Sequence, residues 1–282
     1  MSSLPDPATD AVGYGKRLDF IAAELAASRP RRVLDMGCGT GLMLTAPLAA
    51  LFPETSFVGV DDDGASIAWA ADNLRATNLR FTGPQGLAAD ERFDLVIASE
   101  VLEHVREPAP FLAFLAGRVP PGGRLVITVP NGNGPSEILA LAEVLAKLSG
   151  VQKLLGGLKR RLLGQAGGGG GNAGATLAIS PHVQFFRRSD LEQLFAGAGL
   201  AIVAFRARTI LCGWLLDSLI RLTRSGRLNA ALADSLPACC ASDWMYVLER
   251  STAAPSPERE WRQGRLASWR RRMILLRWGI NG

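Results

Sequence analysis

The chain has 282 residues, 48% hydrophobic and 20% charged, enough to bury a sizeable core as one α/β domain with additions or as two small domains. Its formal charge is +5, and this excess lies in the tail, where Arg259, Arg262, Arg265, Arg270, Arg271, Arg272 and Arg277 face only Glu258 and Glu260. Scattered cysteines (Cys38, Cys212, Cys239, Cys240) match no zinc spacing, no apolar core follows a basic N-terminus, and "TILCGWLLDSLIRLTR" is broken by Asp217 and Arg221. These features argue against disulfide-dense, secreted and membrane-spanning classes and point to a cytoplasmic protein.

Residues 14–28 predict a helix, with Leu18, Ile21, Ala22 and Leu25 on one face. Arg32–Met36 is a short strand that runs into "GCGTG", and Leu42–Leu51 is the helix after it. Strands follow at 55–61, 79–83, 93–99 and 124–130, separated by helices at 64–76 and 110–118. The strands are apolar throughout, as buried parallel strands are. This alternation predicts an α/β fold, a Rossmann-like, mostly parallel sheet of seven strands with helices on both faces. Ser136–Leu163 has helical spacing, and "GQAGGGGGNAGA" after it favours a mobile linker or lid edge. Then come a helix in "RRSDLEQLFAGAGL" capped by Ser189, a strand in "AIVAFRAR", a helical excursion over 210–236 and a last strand at 243–250.

The glycine-rich turn from the first strand into a helix lets a ligand touch backbone N–H groups at the helix start. Dinucleotides and adenosyl sulfonium compounds both suit such a turn. The dinucleotide fingerprint needs glycine at position 42, where Leu42 stands, and a Walker loop needs Gly-Lys-Ser/Thr, which is absent. What remains is G-x-G-x-G preceded by Asp35. Asp61, at the end of the second strand and about twenty residues on, stands where an acid hydrogen-bonds ribose hydroxyls.

In that order and spacing, "VLDMGCGTG", "FVGVD", "FDLVIASEVLEHV" and "VPPGGRLVITVPN" resemble the class I S-adenosylmethionine-dependent methyltransferases. The resemblance covers about residues 14–131 and returns at "HVQFFRRSDLEQLFAGAGLAIV". It implies S-adenosyl-L-methionine as cofactor. Asp35, Gly37, Gly39 and Gly41 would hold its methionine end with Cys38 among them, and Asp61 its ribose, with Asp62 adjacent. Ser99 and Glu100 are placed at the cofactor as well. Where such enzymes usually set an acid against the adenine, this chain reads Gly83-Pro84-Gln85; the amide oxygen of Gln85 could accept that hydrogen bond.

"SEVLEHV" follows the fourth strand, at the ligand edge of an open sheet. Methyl transfer needs a nucleophile placed in line and stripped of its proton, so His104, with Glu103 beside it, is the catalytic candidate. Glu100, Glu103 and His104 with the distant His182 also resemble the divalent-metal constellation of small-RNA 3′-end 2′-O-methyltransferases, and ubiquinone-biosynthesis O-methyltransferases carry a similar Glu-x-x-Glu-His. The simpler reading takes precedence: Glu100 faces the cofactor, Glu103 and His104 shape a helix start, and no metal is needed.

The organisation expected is therefore an N-terminal tail (1–13), a catalytic domain (14–250) with insertions at 132–180 and 210–236, and a basic amphipathic extension (251–282). The apolar, basic lid favours a small-molecule, lipid-like or glycan acceptor, methylated on oxygen; N- or C-methylation and a non-catalytic scaffold are the rivals. The tail has Leu266, Trp269, Met273 and Leu276 at helical spacing among arginines. Packing on the domain ranks first for it, peripheral contact with an anionic inner membrane surface second, and nucleic acid last.

Overall fold

A computed structural model describes residues 6–139, 141, 181–251 and 264–277. Its elements are α1 (Tyr14–Ser28), β1 (Arg32–Met36), α2 (Thr45–Leu51), β2 (Ser56–Val60), α3 (Gly64–Asn73), β3 (Leu79–Thr82), β4 (Leu95–Ser99), α4 (Pro108–Gly117) and β5 (Arg124–Pro130). They continue with α5 (Arg188–Gly197), β6 (Leu200–Ala207), α6 (Trp214–Thr223), α7 (Gly226–Ser235), β7 (Asp243–Arg250) and α8 (Arg265–Arg277). The expected lid helix is described only at 135–139 and 141, and the glycine run lies outside the described residues.

The seven strands form one sheet in the order β3-β2-β1-β4-β5-β7-β6. β1 to β5 pair in parallel, whereas β7 runs antiparallel to both β5 and β6. Side-chain alternation along each strand builds two cores. Val33, Phe57, Ile97 and Val126 point to one face, where Leu18, Ile21, Leu25 and Leu48 of α1 and α2 cover them. Leu34, Val96, Leu125 and Ile127 point to the other, beneath Leu112, Leu115, Leu191 and Phe195 of α4 and α5. The strand order reverses between the parallel neighbours β1 and β4, so a crevice opens at their carboxyl ends, where such sheets bind ligands. Antiparallel β7 brings its first residue, Asp243, to the same edge, opposite Pro130.

Several local expectations are corrected. Helix α2 starts at Thr45, not Leu42, because Gly41 has φ +71° and the Thr45 hydroxyl turns back to donate to Asp35 Oδ2 at 2.6 Å. Ser189 does not cap α5: the helix starts one residue before it, and the Asp190 carboxylate reaches back to the Arg187 N–H at 2.9 Å. The 210–236 excursion is two helices joined at Arg224–Ser225. Residues 6–13, within the expected N-terminal tail, are hydrogen-bonded to α1 and α7. Asp10 caps α1 by accepting from the Tyr14 and Gly15 N–H groups, and the Gly226 N–H donates to the Ala8 carbonyl.

Candidate functional site

The glycine loop is strapped to β2. Gly37 and Cys38 both donate their N–H to the Val60 carbonyl, at 2.7 and 3.1 Å, and Gly39 donates to Asp61 Oδ2 at 2.7 Å. Asp61 also accepts from the Asp63 N–H through Oδ1 at 2.9 Å. Its carboxylate therefore ties the middle of the loop to the turn after β2 while keeping lone pairs for further donors. Gly37, Gly39 and Gly41 have φ of +77°, +55° and +71°, the left-handed region in which a Cβ is strained. At two of them the protein also fills the space. A Cβ on Gly37 would strike Val101, and one on Gly41 would lie 2.5 Å from the Phe81 ring. The bare backbone thus lets β3 and the segment after β4 close on the loop.

Asp35 is 2% exposed beneath this loop, and burial pushes its carboxyl up to about 6 against the Thr45 hydrogen bond. Burial also raises the Cys38 thiol, whose sulfur packs near Gly59, so it is an inert filler. Asp62 and Gln85 are exposed, and the Gln85 amide folds back over Gly83.

At the end of β4 the hydroxyls form a relay. The Thr128 hydroxyl donates to Glu100 Oε1 at 2.8 Å, which leaves Ser99 to donate to Thr128 at 2.8 Å. Glu100 has φ +58°, a conformation that costs a non-glycine residue about 1 kcal/mol or more. Its other oxygen accepts from Arg208 at 3.2 Å, and Arg208 also pairs with Asp243 at 2.7 Å. Burial opposes the charge of Glu100, but Arg208, Arg17 and Thr128 hold its carboxyl below the ordinary range. Burial pushes Asp243 up to about 6 despite Arg208.

A 3₁₀ turn, Leu102–His104, carries the next pair. Glu103 is 2% exposed, and its Oε2 has no partner among the described residues. Burial first, and the Glu100 charge second, push its carboxyl up to about 8. His104 Nδ1 lies 3.2 Å from the Pro181 carbonyl, which can only accept, so Nδ1 carries the proton and the lone pair is on Nε2. That atom lies 3.8 Å from Glu103 Oε1. Burial and the neighbouring His182 hold His104 below its usual value, hence neutral. His182 stands edge-on to His104 at 5.0 Å between ring centroids. Its Nδ1 lies 2.7 Å from Glu137 Oε1. Burial opposes its protonation, yet the Glu137 hydrogen bond and the surrounding carboxylates push it up to about 9.

Glu103, His104 and His182 place one donor atom each within 4.8 Å of one another. Glu100, the fourth residue of the expected constellation, is turned to Thr128 and Arg208 instead. The sequence reading missed Arg17, Arg208, Asp243, Glu137 and Arg270. One signal was available: Arg17 falls on the stripe Tyr14, Leu18, Ile21, Leu25, a charge on the buried face of α1. Its Nε is buried with no partner among the described residues. Asn131, at the tip of β5, is a clasp: its amide donates to the Cys239 and Ala241 carbonyls at 3.0 and 2.8 Å.

Among the described residues no helix is long and apolar enough to cross a membrane. The chain is 38% identical over 114 residues to a ubiquinone biosynthesis O-methyltransferase of Rhodopseudomonas palustris, covering 39% of this chain and 44% of that protein. It is 35% identical over 141 residues to a protein of the same name from Cereibacter sphaeroides, covering 44% and 56%. It thus spans about half the length of these curated relatives. A solved magnesium protoporphyrin IX methyltransferase from Synechocystis with bound S-adenosylhomocysteine shares the fold, with TM-score 0.50 and 18% identity over 85% of this chain and 84% of that one. The family model of a methyltransferase domain matches residues 12–204, a span that includes the glycine loop, Asp61 and the Glu103–His104–His182 cluster. The chain belongs to that methyltransferase family.

Proposed function

We propose that this enzyme methylates an oxygen, namely a phenolic hydroxyl on a small apolar acceptor of the quinone-precursor type, and that Glu103 and His104 are its catalytic pair. The observation that carries this is the His104 imidazole: neutral, its Nδ1–H committed to the Pro181 carbonyl, its Nε2 lone pair available. The ubiquinone-biosynthesis relatives support oxygen as the target.

The residues present fit the cofactor. Asp61 keeps lone pairs for two ribose hydroxyls, and Asp62 stands exposed next to it. Gly37, Cys38, Gly39 and Gly41 form the cradle over Asp35, with Ser99 and Glu100 at its far wall. Arg17, with a buried guanidinium N–H to spare, suits the methionine carboxylate. Gln85, after β3, would be the residue to meet the adenine. When bound, S-adenosylmethionine supplies an electrophilic methyl group on a sulfonium. The chain's part is to orient the acceptor oxygen and accept its proton at His104 Nε2. Glu103, protonated at neutral pH by its burial, offers a hydrogen bond to the acceptor rather than a competing negative charge.

A second reading is favoured by one observation: the three donors within 4.8 Å and the partnerless Glu103 Oε2. Glu103, His104 and His182 would hold a divalent ion there, which would lower the pKa of the acceptor hydroxyl. For the tail, Leu266 and Trp269 are 59% and 43% exposed on α8, and with exposed Arg265 and Arg272 they form the surface for peripheral membrane contact. Flotation of the protein with anionic vesicles, compared with Leu266→Ser/Trp269→Ser, tests that contact.

The test of function is incubation with methyl-labelled S-adenosylmethionine and a prenylated catechol. We expect label on oxygen, a turnover loss of about 10²–10⁴-fold in His104→Gln, and unchanged S-adenosylhomocysteine affinity. Full turnover by His104→Gln removes the base, and label on nitrogen or carbon removes the O-methyl assignment. Loss of activity on chelation, restored by Mn²⁺, selects the metal reading; activity indifferent to chelation ends it.

A further inference from the structure

The basic C-terminal helix enters the site's scaffold. Arg270, in the middle of α8, is 4% exposed despite its charge. Its Nη2 donates to Glu137 Oε2 and to the Glu137 carbonyl, both at 3.0 Å, its Nη1 donates to the Gly132 carbonyl, and its guanidinium stacks on Phe185 at 4.2 Å. A buried guanidinium is tolerated where its donors are met in this way; here both Nη atoms are met, and Nε has no partner among the described residues. Glu137 is itself 5% exposed. One of its oxygens goes to Arg270 and the other takes His182 Nδ1 at 2.7 Å. His182 is then held edge-on to His104. Glu137 and His182 are 45 positions apart in the chain.

We propose that Arg270 is a positioning residue: through Glu137 it fixes the ring orientation of His182, so that the C-terminal extension completes the second layer of the methyl-transfer site. A carboxylate that bonds one imidazole nitrogen decides which edge of the ring faces the reaction. Without Arg270, one oxygen of Glu137 would be a buried acceptor short of a donor, and the carboxylate would no longer be held in its present orientation against His182. Its kinetic consequence rests on the functional reading above; its structural consequence does not.

The chain has two histidines, so ¹⁵N-histidine labelling gives a spectrum simple enough to assign. Wild type should show a slowly exchanging His182 Nδ1–H. Arg270→Ala should lose it, and Arg270→Lys should retain it. With the prenylated catechol, Arg270→Ala should lower kcat about 10–100-fold while S-adenosylhomocysteine affinity stays within about twofold. The double variant with Glu137→Gln should be no slower than the slower single variant, because the two act in series. A Nδ1–H signal that persists in Arg270→Ala overturns the proposal, as do multiplicative losses in the double variant. If Arg270→Ala does not fold, Arg270→Met decides, since it keeps a long stem against Phe185 and removes the donors to Glu137: loss of the signal supports the relay and its survival refutes it. If wild type does not turn over the catechol, the acceptor assignment fails and the imidazole spectrum alone judges Arg270.

Discussion

Replacing Asp35 with asparagine should make this protein more stable at neutral pH. The carboxyl is 2% exposed and accepts from the Thr45 hydroxyl. Burial lifts it from 3.8 to about 6. The unfolded chain therefore releases this proton before the folded chain does, and above pH 6 the folded state carries a charge that it disfavours. The gap corresponds to about 3 kcal/mol at pH 8, about half of that at pH 5 and under about 1 kcal/mol at pH 4. Asparagine keeps the acceptor for Thr45 and removes the charge. Urea denaturation of the variant and wild type at pH 8, 5 and 4 measures the difference directly. The gain should be largest at pH 8 and fade as pH falls. A variant less stable than wild type at pH 8, or a gain independent of pH, would refute the claim that burial dominates at this site. A penalty of this kind in the native chain fits a group kept for the cofactor loop rather than for the fold.

Gly41→Ala places a methyl at φ +71° and 2.5 Å from the Phe81 ring, so it should cost about 2–4 kcal/mol in thermal denaturation and weaken S-adenosylhomocysteine binding as the loop shifts. Asn131→Ala strips the Cys239 and Ala241 carbonyls of their donor; a loss of about 2 kcal/mol in urea, with cofactor affinity retained, would confirm a clasp, and lost affinity at full stability would show a binding role instead. Lys16→Met removes the 2.9 Å pair with Asp234 that ties α1 to α7. Because Asp234 is half exposed, we expect under about 1 kcal/mol in thermal melts.

What the sequence made legible was local. The glycine loop and Asp61 sit next to strands whose apolar runs mark them, and the spacing from Gly41 to Asp61 is set by one helix and one strand. The β4 turn with Glu103 and His104 was legible for the same reason. Arg208, Asp243, Glu137 and Arg270 were not, because their partners are far off in the chain: Glu100 meets Arg208 across 108 positions and Glu137 meets Arg270 across 133. Glu100 was expected at the cofactor, but its carboxylate's partners, Thr128 and Arg208, could not be read from its neighbours in the chain. The tail's apolar spacing marked a stripe through Leu266 and Trp269 without saying what covers it; α8 buries Arg270 and Leu275 and leaves those two exposed. Periodicity marks a face but not which partner covers it.

The account depends on a sulfonium nucleoside seated over residues 37–41 with its sugar at Asp61. Calorimetric titration of S-adenosylhomocysteine into wild type and Asp61→Asn measures this most directly. We predict saturable one-to-one binding by wild type and an affinity about 10–100-fold weaker in the variant, the loss of one charged acceptor. No binding by the wild-type chain, or equal affinity in Asp61→Asn, would contradict it.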